Sequence, residues 1–166
     1  MAVSGGLDSC TISHWLSQQG VEVIAYTADL GQPDEDDIED VRERMLACGA
    51  REMLIGDLKE AISRAGIRLV QAQARYEGGY WNTTGLARHV VIKDMVPLMQ
   101  ERGIRLLGHG ATGRGNDQVR FQIPTQMLDP HIDVYAPWRD SEFLSIFGGR
   151  KDCLLYTSDA ADDETS

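Results

Sequence analysis

The chain has 166 residues, enough to bury the core of one domain. Lys and Arg number 16 against 26 Asp and Glu, and the formal net charge of −10 argues against a broad footprint on a nucleic-acid backbone. A local pocket for one nucleotide stays compatible with that charge, whereas a membrane partner does not fit a sequence with no apolar run of spanning length and no signal-peptide pattern. Cys10, Cys48 and Cys153 are odd in number and far apart in sequence, which suits a reducing, cytoplasmic setting and excludes a CxxC pair. His14, His89, His109 and His131 show no ligand spacing, so no zinc site is expected.

Met1–Val3 is a short apolar run, less than the roughly five or six residues of a buried strand. The chain is therefore expected to start inside its first strand. Ser4-Gly5-Gly6-Leu7-Asp8-Ser9 follows, and Ile12, Trp15 and Leu16 then mark one face of a helix that Gly20 ends. The glycines thus fall in a strand-to-helix turn, where unpaired N–H groups and the helix dipole favour an anion. Ser4 and Ser9 add hydroxyl groups there, and Asp8 adds a carboxylate suited to a divalent cation beside a phosphate. On spacing alone a capped turn with nothing bound is an equal alternative. No Gly-Lys-Ser/Thr follows, so this is not the Walker loop.

Val21–Ala28 is nearly continuously apolar, as in a strand buried on both faces of a parallel sheet. Asp29–Pro33 breaks it, and Asp34–Asp37 opens a second helix with the stripe Ile38, Val41, Met45 and Cys48. The acids of that first turn read as a solvated helix start and not as a metal site. Glu52–Ile55 is expected as a strand and Leu58–Ala65 as a short helix closed by Gly66, with Ile67–Trp81 irregular. A long helix is expected from Thr84 to about Arg102, kinked or interrupted at Pro97, followed by a strand at Ile104–Leu107. The remaining expected elements are a strand at His131–Ala136 and a helix at Ser141–Phe147. The alternation of strand and helix predicts an α/β fold, a doubly wound and mainly parallel sheet with helices on both faces.

Gly108–Asp117 forms a second glycine-rich loop containing a literal G-x-G-x-x-G. A dinucleotide fingerprint belongs in the first strand-to-helix turn, and the polar Arg114-Gly115-Asn116-Asp117 does not suit close helix packing. Two glycine-rich loops at the carboxyl ends of parallel strands instead predict one nucleotide gripped from both sides.

Ser4–Ser9 resembles the PP-loop of the ATP pyrophosphatases. With it, Ala2–Ser9, Tyr26–Gln32, Tyr80–Arg88, His109–Phe121 and Ala136-Pro137-Trp138-Arg139 are similar, in order and spacing, to the argininosuccinate synthase family over nearly all of Met1–Asp152. The resemblance implies an adenine-nucleotide α-hydrolase-like fold and ATP-dependent ligation of citrulline and aspartate. The products would be argininosuccinate, AMP and pyrophosphate, formed through a citrullyl-adenylate. It implies ATP contacts at Ala2, Ser4, Gly5, Gly6, Leu7, Asp8, Ser9, Ala28 and Gly110, with Mg2+ at Asp8. It further implies aspartate contacts at Thr112, Asn116 and Asp117, and citrulline contacts at Tyr80, Asn116 and Arg120. Asp8 and Asp117 are the implied catalytic carboxylates, and a homotetramer is implied for the full-length protein. Taken alone, Tyr80 reads more readily as a core aromatic and Arg120 as a surface ion pair, while Asp117 suits a helix cap, a role that can coexist with binding.

The sequence departs from the family in small ways. Ser9 replaces a threonine, Cys10 a serine, and Gly85 lies where some members carry a serine that touches citrulline. Residues 1–152 are expected to be a PP-loop ATP-binding domain, a fragment not fully active alone. Residues 153–166 (CLLYTSDAADDETS) have no family counterpart, read as translated adapter sequence and are expected to be disordered. A tRNA-thiolating PP-loop enzyme is disfavoured by the missing CxxC and the acidic charge. A nonenzymatic ATP-binding sensor would require the short C-terminus to be native.

Overall fold

The computed structural model describes residues 1–31, 38–76, 79–111 and 116–147. The expected helix opening at Asp34–Asp37, Thr112 and the tail from 153 onward lie outside the described residues.

Parallel pairing organises the chain. Strand β1 (Ile24–Asp29) pairs with β2 (Glu52–Asp57) in register from Ile24↔Glu52 to Asp29↔Asp57. Strand β5 (Leu106–Gly108) pairs in parallel with β6 (Asp133–Tyr135). Residues Met1–Val3 join these two pairs, because Ala2 bridges Tyr26 on one side and His109 on the other. The Ala2 N–H donates to the Gly108 carbonyl at 2.8 Å, and the Val3 N–H donates to the Tyr26 carbonyl at 2.9 Å. The order is therefore β2, β1, Met1–Val3, β5, β6, a doubly wound arrangement whose winding reverses at the N-terminal segment.

Helix α1 (Leu7–Gln18) follows Met1–Val3, α2 (Ile38–Ala47) lies between β1 and β2, and α3 (Lys59–Gln71) follows β2. Helix α4 (Thr83–Glu101) precedes β5, α5 (Asp117–Leu128) precedes β6, and α6 (Ser141–Phe147) closes the described chain. Strand residues divide between two buried faces with the period of two that pleating dictates. Ala2, Tyr26, Ala28 and Leu54 pack with Val91, Ile92, Met95, Val96 and Met99 of α4 and Phe121 of α5. Met1, Val3, Ala25 and Met53 pack with Val41 and Met45 of α2 and with Cys10 and Leu16 of α1. Pro137–Arg139 forms a 3₁₀ turn that sets Trp138 edge-on to Phe143, with ring centroids 5.0 Å apart, over Ile12.

Four local expectations need correction. Helix α3 does not stop at Ala65 but runs through Gly66 to Gln71. A mid-helix glycine costs about 1 kcal/mol and is not itself a stop. The reversal comes at Gln73, whose φ of 51° is the left-handed turn, with the Ala74 N–H returning to the Leu69 carbonyl at 3.1 Å. The expected irregular stretch 67–81 is thus helical at its start. It then forms a short antiparallel ladder between β3 (Arg75–Tyr76) and β4 (Tyr80–Trp81). Pro97 lies inside α4 without ending it, its ring on the exposed face while Met95, Val96 and Met99 stay buried. The strands themselves are shifted and mostly shorter, because Val21–Val23 and Ile104 lie before the ladders begin, whereas β2 continues to Asp57.

His109, just after β5, is 1 % exposed and stacks on Phe121 with centroids 4.6 Å apart. Its Nδ1 accepts the Ala111 N–H at 3.2 Å, which fixes the neutral ring with its proton on Nε2. Burial lowers its pKa from 6.5 to about 4, opposed by the Asp117 carboxylate and reinforced by the Arg88 guanidinium. Burial likewise lowers the Met1 amine, which donates to the Ile24 carbonyl at 2.7 Å, from 8.0 to about 5.

Both groups bind fewer protons in the folded state, so their contribution is complete above the unfolded value and is lost as pH falls toward the folded one. Unfolding free energy is expected to decline from pH 6.5 to 4 by on the order of 3 kcal/mol through His109. The amine adds a slope of the same sign from pH 8.0 to about 5. His109→Gln is expected to remove the first part, as read by denaturant titration across that range. Ile92, fully buried between α4 and the sheet, gives a second expectation. Ile92→Ala should destabilise by about 2–5 kcal/mol in the same measurement.

Candidate functional site

Three chain reversals meet at the carboxyl ends of the central strands: after Val3, after β1 and after β5. The first is Ser4–Gly6, and Gly5 takes a φ of +69° that glycine accommodates without strain. The position a Cβ would take on Gly5 is 2.7 Å from Cγ1 of Val41, so the loop is pressed against α2. Gly6 is the N-cap of α1 and supplies no side-chain acceptor. Within the first turn of α1 the Ser9 N–H returns to the Gly6 carbonyl at 3.0 Å. Ser9, 4 % exposed, turns its hydroxyl back to accept the Ser4 N–H at 3.2 Å. That bond holds the loop closed, a structural duty beside the expected ligand contact.

A cavity of about 320 Å³ opens beyond this loop. Ala2, Ser4, Asp8 and Ser9 line one side, Ala28 the floor beside β1, and Gly110 and Asp117 the far side. Ala28 is buried, and its small methyl leaves space above the floor. At Gly110 a Cβ would lie 3.6 Å from Ile12 and 3.9 Å from Asp8, so the two glycine-bearing reversals sit directly against each other across α1. Of the expected nucleotide set, Gly5, Gly6 and Leu7 belong to the same turn without lining the cavity.

The polar wall comes from the start of α4 and of α5. Asp117 opens α5; its Oδ1 accepts from Arg120 at 3.0 Å, and its Oδ2 lies 3.5 Å from Arg88. Arg120 also donates to the Asn82 side-chain oxygen at 3.1 Å, which ties α5 to the N-terminus of α4. Asn116 is the exposed N-cap of α5 and makes no side-chain cap bond. Tyr80 is half exposed and meets the Thr84 hydroxyl at 3.0 Å, so it is no core aromatic. The Thr84 hydroxyl, followed by Thr83 and Arg120, lowers the pKa of its phenol. The structure thus links Asp117, Arg120 and Asn82 and sets Asp8 and Asp117 on the wall of one cavity, whereas Arg120, Asn116 and Tyr80 do not line it.

Two residues of this wall were not singled out by the sequence. Arg88, from α4, lines the cavity with its guanidinium 5.6 Å over the Phe121 ring, and its buried Nε has no hydrogen-bond partner. It is the sole cation among the described lining residues. Its place on the α4 stripe, three residues before Val91, is the signal that would have pointed it inward. Asn82 occupies the space beside Gly85, where an added Cβ would be 2.6 Å from its Oδ1. A serine at position 85 would displace that amide, so glycine and Asn82 belong together.

Among the described residues no group of His, Cys, Asp and Glu is arranged to hold a metal by itself, and no helix is long and apolar enough to cross a membrane.

The profile of the arginosuccinate synthase N-terminal HUP domain matches residues 1–161. Argininosuccinate synthase of Rattus norvegicus is 43 % identical to this chain over 157 residues. The enzymes of Homo sapiens and Thermotoga petrophila are 42 % and 40 % identical over the same length. Each alignment covers 94 % of this chain and 38 % of the relative, so the chain spans little more than a third of the proteins it matches. A parallel α/β sheet with its glycine loop at the reversal of winding and a match over nearly the whole chain lead to one assignment: the chain belongs to the arginosuccinate synthase N-terminal HUP domain family.

Proposed function

We propose that this chain is the nucleotide-binding part of an ATP-dependent ligase that joins citrulline to aspartate, releasing AMP and pyrophosphate through a citrullyl-adenylate. The observation that carries this reading is the single cavity shared by the Ser4–Ser9 turn, Ala28 and Gly110, with Asp117 on its wall and paired to Arg120. The start of α1 and the hydroxyl of Ser4 receive the pyrophosphate end of ATP, where the helix dipole opposes the charge released on cleavage. Ala28 leaves room for the adenosine, and Gly110 closes over it.

Arg120 holds the citrulline carboxylate, with Tyr80 and Asn116 beside it and the Asn82 amide in the space next to Gly85. The ureido oxygen then stands opposite the α-phosphate. Thr112, Asn116 and Asp117 hold the aspartate, whose amine displaces AMP. Asp117 keeps lone pairs for that amine while each of its oxygens faces one arginine. No side-chain nucleophile is needed, because the reaction depends on positioning and on charge stabilisation.

One carboxylate beside serine hydroxyls suits a Mg2+ that arrives on ATP and keeps most of its ligands from phosphate and water. Asp8 would hold it. Arg88 offers its unpartnered Nε to the phosphates. In the complete protein the site works within a cytoplasmic homotetramer.

Isothermal titration of the chain with ATP and Mg2+ is expected to show binding. Arg88→Gln should weaken it about tenfold, the worth of one charge-assisted contact, with the melting temperature little changed. Undiminished affinity in that variant would remove Arg88 from the site. A coupled pyrophosphate assay with citrulline and aspartate should register no turnover by this chain and turnover by a protein extended to the relatives' length. Robust release by the 166 residues would overturn the claim that the chain is incomplete as a catalyst.

A further inference from the structure

The helices that flank the nucleotide turn bring together two thiols that are far apart in sequence. Cys10 lies in the first turns of α1 and Cys48 directly after α2, each partly buried and each a free cysteine. At each end the turn flanking one helix meets the other helix. At one end Val41 abuts Gly5; at the other, a Cβ on Gly49 would meet Ser17, with Ser17 Cβ at 2.9 Å and the His14 Cα at 3.9 Å. Cys10, His14 and Ser17 recur at the spacing that puts side chains on one stripe of a helix. That stripe therefore faces α2, and Cys48, next to Gly49, is delivered onto it. Cys10 also packs in the cluster that contains Val41 and Met45 of α2. The proximity is felt electrostatically: burial first, then the Cys48 thiol, pushes the Cys10 pKa from 9.0 to about 12, while Arg44 pulls it down.

We propose that Cys10 and Cys48 are a modification site, a dithiol that a low-molecular-weight disulfide oxidises to an intramolecular cystine stapling α1 to α2. The thiolate of one cysteine attacks a sulfur of the small disulfide and expels one small thiolate. The second cysteine, as its thiolate, attacks the protein sulfur of the mixed disulfide and expels the other. Two protein S–H bonds and one small S–S bond are broken, and one protein S–S bond and two small S–H bonds are formed. The protein is oxidised by two electrons, and the two protons end on the released thiols. The staple lies next to the turn that opens α1 and fixes the wall against which Gly5 rests.

The test uses the whole chain carrying Cys153→Ser, so that only the pair can react, with the unsubstituted chain in parallel. After incubation with oxidised glutathione, the protein is analysed by thiol titration, intact mass and proteolytic mapping. Loss of both thiols, a mass lower by two hydrogen atoms and a linked Cys10–Cys48 peptide are expected. The oxidised form should also melt about 5–10 °C higher than the reduced form. Cys10→Ser should leave a persistent glutathione adduct on Cys48 in place of the cystine. A persistent adduct on the unsubstituted pair, thiols that stay titratable, cross-linking to Cys153 or disulfide-linked dimers would each overturn the proposal.

Discussion

Met1–Val3 is hydrogen-bonded into the sheet on both of its edges, and everything else in the fold is placed by that. Without the bond to Gly108 and the bridge to Tyr26, the β1–β2 pair and the β5–β6 pair would be separate ribbons. A two-stranded ribbon has little stability of its own, so a three-residue segment supplies the continuity on which both hydrophobic faces depend. The same segment feeds directly into Ser4. The Ser4–Gly6 turn is thus an extension of the central seam of the sheet, and its position is as well fixed as the core.

The polar wall depends on that seam at one remove. Helix α4 is held by Ile92, Met95, Val96 and Met99 against the face that carries Ala2, Tyr26 and Leu54. A second tie comes from the Tyr26 hydroxyl, which donates to the Asp94 carboxylate at 2.6 Å across the hydrogen of Gly56. Helix α4 in turn positions Asn82 and Arg88, and these two hold Arg120 and Asp117 of α5. Packing sets the helices, and charge-assisted bonds then set the side chains that face the cavity. In a chain with a net charge of −10 those arginines are placed by pairing and not by a general positive field.

Much of this could be read from the residues. The apolar stripes of α1 and α2, the glycine turn after Val3 and the doubly wound order follow from periodicity and punctuation, and those signals are local. The extent of α3 was not legible, because Gly66 looks like a stop and the actual reversal uses Gln73, a residue with no turn signature. The β3–β4 ladder rests on a few paired residues whose composition announces nothing. At the site, family motifs pointed to Asp117, Arg120 and Tyr80, whereas Asn82 and Arg88 emerged only when α4 and α5 came together. The encounter of Cys10 with Cys48 is of the same kind. Side-chain partnership across helices is a property of packing, and no single stretch of sequence encodes it.

The contact between Gly5 and Val41 has a consequence for how such a chain can change over time. The left-handed backbone at Gly5 bars any side chain there, and the methyl groups of Val41 already fill the space behind it. Position 41 cannot grow without driving the turn out of place, and it cannot shrink without opening a void beside Met45. Drift at this spot is confined to volume-neutral exchanges, so a helix that takes no part in chemistry inherits the sequence constraint of the turn it supports.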